Sequence, residues 1–332
     1  MIHHGDCIEV MATFDAESVD AIVTDPPYDL TSTGARNGSP RSNAGTGPYA
    51  RLDRGGFMGK AWDGTGIAFR PETWAACLRV ARPGSYLLAF GGTRTFHRMT
   101  CAIEDAGWII RDCLVWAYAS GFPKSKASLK PAWEPIVMAR KPGPLRDLAI
   151  DACRIGLADD DVKHGGFGGA PIGMGGTPGA GAEWVNRTDG RWPANVVLTD
   201  PIFDGDMPGV VGGGGPRGAS ASETDAYSRF FLIPKAARSD REPVLSGSGD
   251  GERANVHPTV KPTALMRHLV RLVTPPGGIM LDPFLGSGST ALAAEIEGFG
   301  WVGIEREAEY VAIAEARLNG TQRGLGLAEV VV

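Results

Sequence analysis

The segment that most constrains the fold is 277–305. Gly277-Gly278-Ile279-Met280-Leu281 is a short apolar run, Asp282-Pro283-Phe284-Leu285-Gly286-Ser287-Gly288-Ser289-Thr290 is a glycine-rich turn, and Ala291-Leu292-Ala293-Ala294-Glu295 continues as a helix. A second apolar run, Gly300-Trp301-Val302-Gly303-Ile304, ends in Glu305. Strand, tight turn, helix and strand in this order read as a β-α-β unit of a parallel sheet, which holds ligands in the loops at the C-terminal ends of its strands. Gly286 and Gly288 would let the backbone pass close beneath a ligand, and Glu305 is placed to bridge the two hydroxyls of a ribose. A dinucleotide fold would look the same, with Ala291 in place of the third glycine, a replacement its fingerprint allows. Asp282 favours a different ligand, because a carboxylate repels a pyrophosphate but suits a cofactor with a cationic amino-acid moiety.

The rest of the chain extends this pattern. Residues 1–28 read as two strands around a short amphipathic helix, 71–81 as a helix opened by Pro71-Glu72, 85–90 as a strand, 93–106 as a helix, and 109–116 and 133–140 as strands. The alternation predicts an α/β fold with a mostly parallel, doubly wound sheet covered by helices. Residues 29–66, rich in Gly, Ser, Asn and Arg, read as a long loop of the kind that is functional or disordered, and Phe57, Met58 and Trp62 interleaved with Arg54 and Lys60 directly after Tyr28 suggest a lid over a bound ligand. From 142 to 252 the pattern gives way to glycine runs such as Gly212-Gly213-Gly214-Gly215, an irregular insert that forms little packed core unaided. The expected division is therefore 1–142, 143–252 and 253–332.

A second motif lies far from the glycine turn. Val19-Asp20-Ala21-Ile22-Val23 reads as a buried strand, and Asp25-Pro26-Pro27-Tyr28 follows at its C-terminal end. Asp-Pro-Pro is an ordinary way to end a strand, but the tetrad also supplies what methylation of a nucleobase amine requires. Such an amine is a poor nucleophile, its lone pair delocalised into the ring, until acceptors hold its hydrogens. The Asp25 carboxylate and the carbonyl of Pro26, rigidly presented because neither proline can make a local N–H bond, are candidate acceptors, and Tyr28 offers a flat face for a base.

Together these segments resemble the β group of S-adenosylmethionine-dependent DNA amino-methyltransferases, in which the catalytic tetrad precedes the cofactor loop, a circularly permuted motif order. The resemblance covers most of 1–142 and 253–318. It implies that Asp25, Pro26, Pro27 and Tyr28 are catalytic and that Gly5-Asp6-Cys7 meets the cofactor's adenine through Asp6. In His257-Pro258-Thr259-Val260-Lys261-Pro262 it implies that Thr259 and Lys261 receive the cofactor's methionine end. Asp282, Pro283, Phe284, Gly286, Ser287 and Gly288 would line the donor pocket, and Glu305 would take the ribose. By position, the insert would be the target-recognition region, with Trp184, Arg187, Arg191, Trp192, Tyr227 and Arg229 able to reach a groove. Members of the group commonly pair, so a homodimer is expected, and a partner restriction nuclease is left open.

Composition sets limits on this reading. The net charge of −5 is unfavourable for binding duplex DNA, so local cations have to carry the phosphate contacts. Two stretches qualify. One holds Arg36, Arg41, Arg51, Arg54 and Lys60; the other holds Arg111, Lys124, Lys126, Lys130, Arg140, Lys141 and Arg146. Five cysteines without Cys-x-x-Cys spacing argue against disulfides and a zinc site, and no metal is expected. With no signal-like N-terminus and no long apolar run, a soluble cytoplasmic protein is expected. No cysteine follows a proline, which disfavours cytosine C5 methylation through a cysteine adduct. Within the family, aspartate at the first tetrad position goes mainly with adenine N6 and serine with cytosine N4, so adenine is favoured. Alternatives are cytosine N4 methylation, an RNA or protein amino-methyltransferase, and an inactive DNA-binding protein on the same fold.

Overall fold

The computed structural model describes residues 1–29, 61–118, 129–155, 190–198, 231–232 and 260–324. Their strands form one sheet: β1 (Ile2–His4), β2 (Val19–Thr24), β3 (Ala81–Phe90), β4 (Ile109–Ala117), β5 (Trp133–Arg140), β6 (Val196–Leu198), β7 (Phe231–Leu232), β8 (Ile279–Asp282) and β9 (Gly300–Glu305). The helices are α1 (Cys7–Ala12), α2 (Pro71–Val80), α3 (Phe96–Asp105), α4 (Thr263–Val273), α5 (Ser289–Glu297) and α6 (Ala308–Gly324).

The sheet order is β1-β9-β8-β2-β3-β5-β4-β6-β7. All neighbouring pairs are parallel except those involving β5, which runs against both β3 and β4. The expected fold class is therefore observed, with one reversed strand. β5 lies between β3 and β4, which therefore run in the same direction as each other, and it pairs antiparallel with both.

Helices cover both faces, and side chains of each central strand alternate between two cores. Ala21, Val23, Leu88, Phe90, Ile136 and Met138 face α4 and α5; Ile22, Leu87, Ala89, Val137 and Ala139 face α1, α2 and α3. Burial on both sides explains why β2 and β3 read as continuous apolar runs. Asp20, buried at the start of β2, is paired with Arg82 at 2.7 Å and Arg146 at 3.4 Å and accepts the N–H of Ile279 at 3.0 Å.

The expected boundary at 142 coincides with no break in the structure. Cys153 and Ile155 are buried in the core, the N–H of Ala149 bonds Leu272 O of α4 at 3.0 Å, and β6 and β7 extend the main sheet. Within 143–252, then, β6, β7 and the buried Cys153 and Ile155 are continuous with the main sheet and its core. No helix among the described residues is long and apolar enough to cross a membrane.

Candidate active site

Strands β2 and β8 are neighbours at the point where the chain's windings diverge, β8 leading to β9 on one side and β2 to β3 on the other. Such a switch point opens a crevice at the strands' C-terminal ends. A cleft of about 940 Å³ lies there. It is lined by residues following β1 (Gly5, Asp6, Cys7), β2 (Asp25, Pro26, Pro27, Tyr28), β3 (Gly92, Thr93, Arg94), β8 (Pro283, Phe284, Gly286, Ser287) and β9 (Arg306, Glu307), together with Asp282 and Glu305 themselves. Because β5 is reversed, its first residues, Trp133 and Glu134, reach the same cleft. The tetrad and the glycine turn are directly joined: Thr24 Oγ1 donates to Asp282 Oδ1 at 2.6 Å.

Around the tetrad the geometry is tight. Lys261, 6% exposed, places its ammonium 3.2 Å from Asp25 Oδ2, 2.8 Å from Glu134 Oε2 and 3.0 Å from the Tyr28 hydroxyl. The Tyr28 hydroxyl donates to Glu134 Oε2 at 2.9 Å, and that of Tyr118 donates to Oε1 at 3.2 Å. The Lys261 ammonium also lies 4.7 Å from the ring centroid of Phe90 and 5.3 Å from those of Tyr28 and Trp116. Burial pushes the Asp25 carboxyl above the usual carboxylate range, Lys261 opposes that shift, and Glu134 adds to it. Burial pulls the Lys261 ammonium down, but Asp25 and Glu134 outweigh it and the net shift is upward. The other Asp25 oxygen, Oδ1, is buried and has no hydrogen-bond partner.

Two residues outside the anticipated motifs hold this geometry. Asp63, on a 3₁₀ turn at Ala61–Gly64, accepts the backbone N–H groups of Tyr28 at 3.0 Å and Asp29 at 3.1 Å, which fixes the chain where Asp29 takes a left-handed φ of 49°. Arg317 of α6, also buried, donates to Ser287 O at 2.5 Å and to the hydroxyls of Ser287 and Ser289, bracing the glycine turn. Neither carries a motif signal; only contact across the fold reveals them. Glu134 is likewise an unmarked strand residue.

Several expected cofactor contacts are differently engaged. Lys261 was expected to face a cofactor carboxylate; its ammonium is paired with two protein carboxylates, as burial of a charge requires. Asp6 caps α1, its Oδ1 accepting Ile8 N at 2.9 Å and Glu9 N at 3.4 Å. Gly288 is absent from the lining of the cleft. Its φ is 81°, and a Cβ there would stand 3.0 Å from Ala314 Cβ, so this glycine serves the approach of α6 rather than ligand clearance. Glu305 Oε2 accepts Gly286 N and Oε1 accepts Glu307 N, both at 2.7 Å. A carboxylate has about four acceptor positions; the Arg306 N–H also bonds this one, so about one remains for a ribose hydroxyl. Asp282 is buried, and its carboxyl is pushed up to about 6 by desolvation. Buried Cys7 is pushed up to about 12, chiefly by desolvation.

Of the basic residues expected at DNA, exposed Lys130 stands at the cleft, as does exposed Arg94, which was not anticipated. Arg140, Lys141 and Arg146 lie at the opposite end of the sheet. Arg140 bonds Gly143 O at 2.8 Å, Lys141 bonds Ala81 O at 2.8 Å, and Arg146 pairs with Asp20. These three are corrected from phosphate contacts to structural ties, because β5 carries them away from the cleft. Trp192 is 62% exposed, with the Arg154 guanidinium 5.5 Å from its ring centroid. Thr259, Arg36, Arg41, Arg51, Arg54, Lys60, Lys124, Lys126, Arg187, Trp184, Tyr227 and Arg229 lie outside the described residues.

An N6/N4 methyltransferase family model, described as DNA methylase, matches residues 19–316. The chain belongs to the N6/N4 DNA methylase family. It is 23% identical to the DNA adenine methyltransferase YhdJ of Escherichia coli over 327 residues, covering 96% of this chain and 82% of that one. It is also 23% identical to the Type II methyltransferase M.HindIII of Haemophilus influenzae over 361 residues, covering 96% and 94%. The solved PvuII DNA methyltransferase, cytosine-N4-specific, shares the fold with a TM-score of 0.51 at 15% identity, covering 95% of this chain and 85% of that one. In this DNA methylase, membership embraces both the tetrad and the glycine turn, which lie within the matched span and meet in one cleft.

Proposed function

We propose that this DNA methylase modifies the exocyclic amine of a base flipped out of duplex DNA, adenine N6 being the favoured position, and that it does so at the cleft between β2 and β8. The observation that carries the reading is Asp25 Oδ1, a buried acceptor without a partner, held beside two prolines at the end of a buried strand. Such an atom is costly unless a ligand satisfies it, and an amino group is the ligand it fits. S-adenosylmethionine, the methyl donor of the family, supplies a methyl group activated on a cationic sulfonium.

The residues divide the work. Asp25 and the Pro26 carbonyl take the amine hydrogens and direct the nitrogen lone pair toward the methyl carbon. The Tyr28 ring supports the flipped base, and the Asp63 carboxylate keeps the tetrad backbone in place. Glu305 is suited to the ribose, Phe284 and the turn at Gly286 to the remainder of the donor, and negative charge at Asp25 stabilises the cation that develops on the amine. Residues within 143–252 are the candidates for reading the target sequence, and Lys130 for contacting phosphate.

Adenine is supported by aspartate rather than serine at the first tetrad position and by the adenine named for YhdJ. DNA from cells expressing the chain, digested to nucleosides and separated by mass, should contain N6-methyladenine. N4-methylcytosine would overturn the base assignment, and absence of both would overturn the function.

A further inference from the structure

We propose that Glu134 is a positioning residue of the methyl-transfer site, one that turns a neutral Asp25–Lys261 pair into a net negative trio facing the amine. The inference rests on the function above. Asp25 and Lys261 alone, 3.2 Å apart, would cancel one another toward any cation approaching from the cleft. Glu134 binds the same ammonium more closely, at 2.8 Å, so two carboxylates and one ammonium leave one negative charge in a largely buried pocket. Its position is fixed on both oxygens: Oε2 receives the Tyr28 hydroxyl together with Lys261, and Oε1 receives Tyr118. The same contacts set the Tyr28 ring on which the base would rest.

Net negative charge is what the reaction needs. As the nitrogen–carbon bond forms and the carbon–sulfur bond breaks, sulfur keeps the bonding pair and positive charge passes to the amine nitrogen, which then sheds one proton to solvent. A negative trio follows that charge from sulfur to nitrogen, whereas a neutral pair would not.

The groups facing Asp25 are Lys261 ahead of α4, Glu134 on β5 and Tyr28 in its own loop, with Asp282 on β8 adding negative charge and Asp63 behind the tetrad backbone. Glu134 raises the Asp25 carboxyl and Lys261 lowers it, so removing each charge should move the acidic limb of the pH–rate profile in opposite directions. Glu134→Gln keeps the shape and removes the charge. It should lower kcat roughly tenfold or more, leave KM for DNA and S-adenosylmethionine within about threefold of the parent, and shift the acidic limb to lower pH. Lys261→Met should shift it to higher pH. Glu134→Asp, which retains the charge and serves if the glutamine variant does not fold, should keep the parental limb. A kcat within about threefold of the parent in Glu134→Gln, or a limb that stays or rises there, would overturn the inference, as would a limb displaced downward in Glu134→Asp. An active parent with an unaffected Glu134→Gln variant sinks this inference alone, whereas a parent that transfers no methyl to DNA sinks the function with it.

Discussion

Asp25 combines two properties that rarely coexist in a carboxylate: it is ion-paired through one oxygen and unpartnered through the other. Asp25→Ala should therefore leave calorimetric affinity for S-adenosylmethionine near that of the parent while removing an acceptor needed as charge develops, at a cost of roughly 2.7 to 4 kcal/mol in the barrier, or about 10²- to 10³-fold in kcat. Turnover within about threefold of the parent would contradict the role. The same residue sets a pH dependence. It must be ionised to accept the amine hydrogens, and burial holds its carboxyl above the usual range, so activity should be present at higher pH and fall as pH drops through a midpoint above the ordinary carboxylate range. A pH–rate profile flat down to the ordinary carboxylate range would speak against Asp25 as the acceptor. At this scale the tetrad was legible because four unusual residues stand together. Glu134 and Asp63 were not, since a single Glu in a strand or a single Asp in a turn carries no signal until the fold brings it to the cleft.

The β8–α5–β9 unit and the helices against it show how elements hold the site. Gly288→Val would force a β-branched residue to φ 81° and drive it into Ala314, so it should destabilise the fold by about 2 to 5 kcal/mol, read as a lowered denaturation midpoint. Unchanged stability would restore the reading of this glycine as ligand clearance. His268 on α4 is 2% exposed, and burial lowers its imidazole from 6.5 to about 4, with Arg271 adding to the shift. The unfolded chain gains this proton below about 6.5, the folded one only near 4. Stability from neutral His268 is thus full above the unfolded value and is lost as pH falls between the two, by roughly 3 kcal/mol at about 1.4 kcal/mol per unit. Asp282, raised from 3.8 to about 6, acts oppositely, binding its proton more tightly when folded and so losing stability as pH rises through that range. Chemical denaturation at pH 6.5 and pH 4 should therefore show a smaller acid loss in His268→Asn than in the parent; equal losses would mean that His268 is not held neutral. Most elements were readable from apolar runs and breakers. The direction of β5 was not expected; its pairing with β3 and β4 decides it.

For the whole molecule, a homodimer is expected from the family resemblance, and light scattering at micromolar concentration should return twice the chain mass. A single-chain mass with and without S-adenosylmethionine would refute the pairing. At this scale lies also the division between what the sequence and the tertiary structure each decide. Apolar periodicity, the Asp-Pro-Pro-Tyr tetrad and the glycine turn by themselves determine an α/β sheet and the chemistry near its strand ends, because backbone preferences and functional-group identity are local properties. Only the tertiary structure brings Thr24 within 2.6 Å of Asp282, 258 residues away, pairs Lys261 with Asp25 and Glu134, and carries Arg140, Lys141 and Arg146 to the far end of the sheet. Strand order and direction set those distances, and the electrostatics of a buried site depend on which charges end up a few ångströms apart.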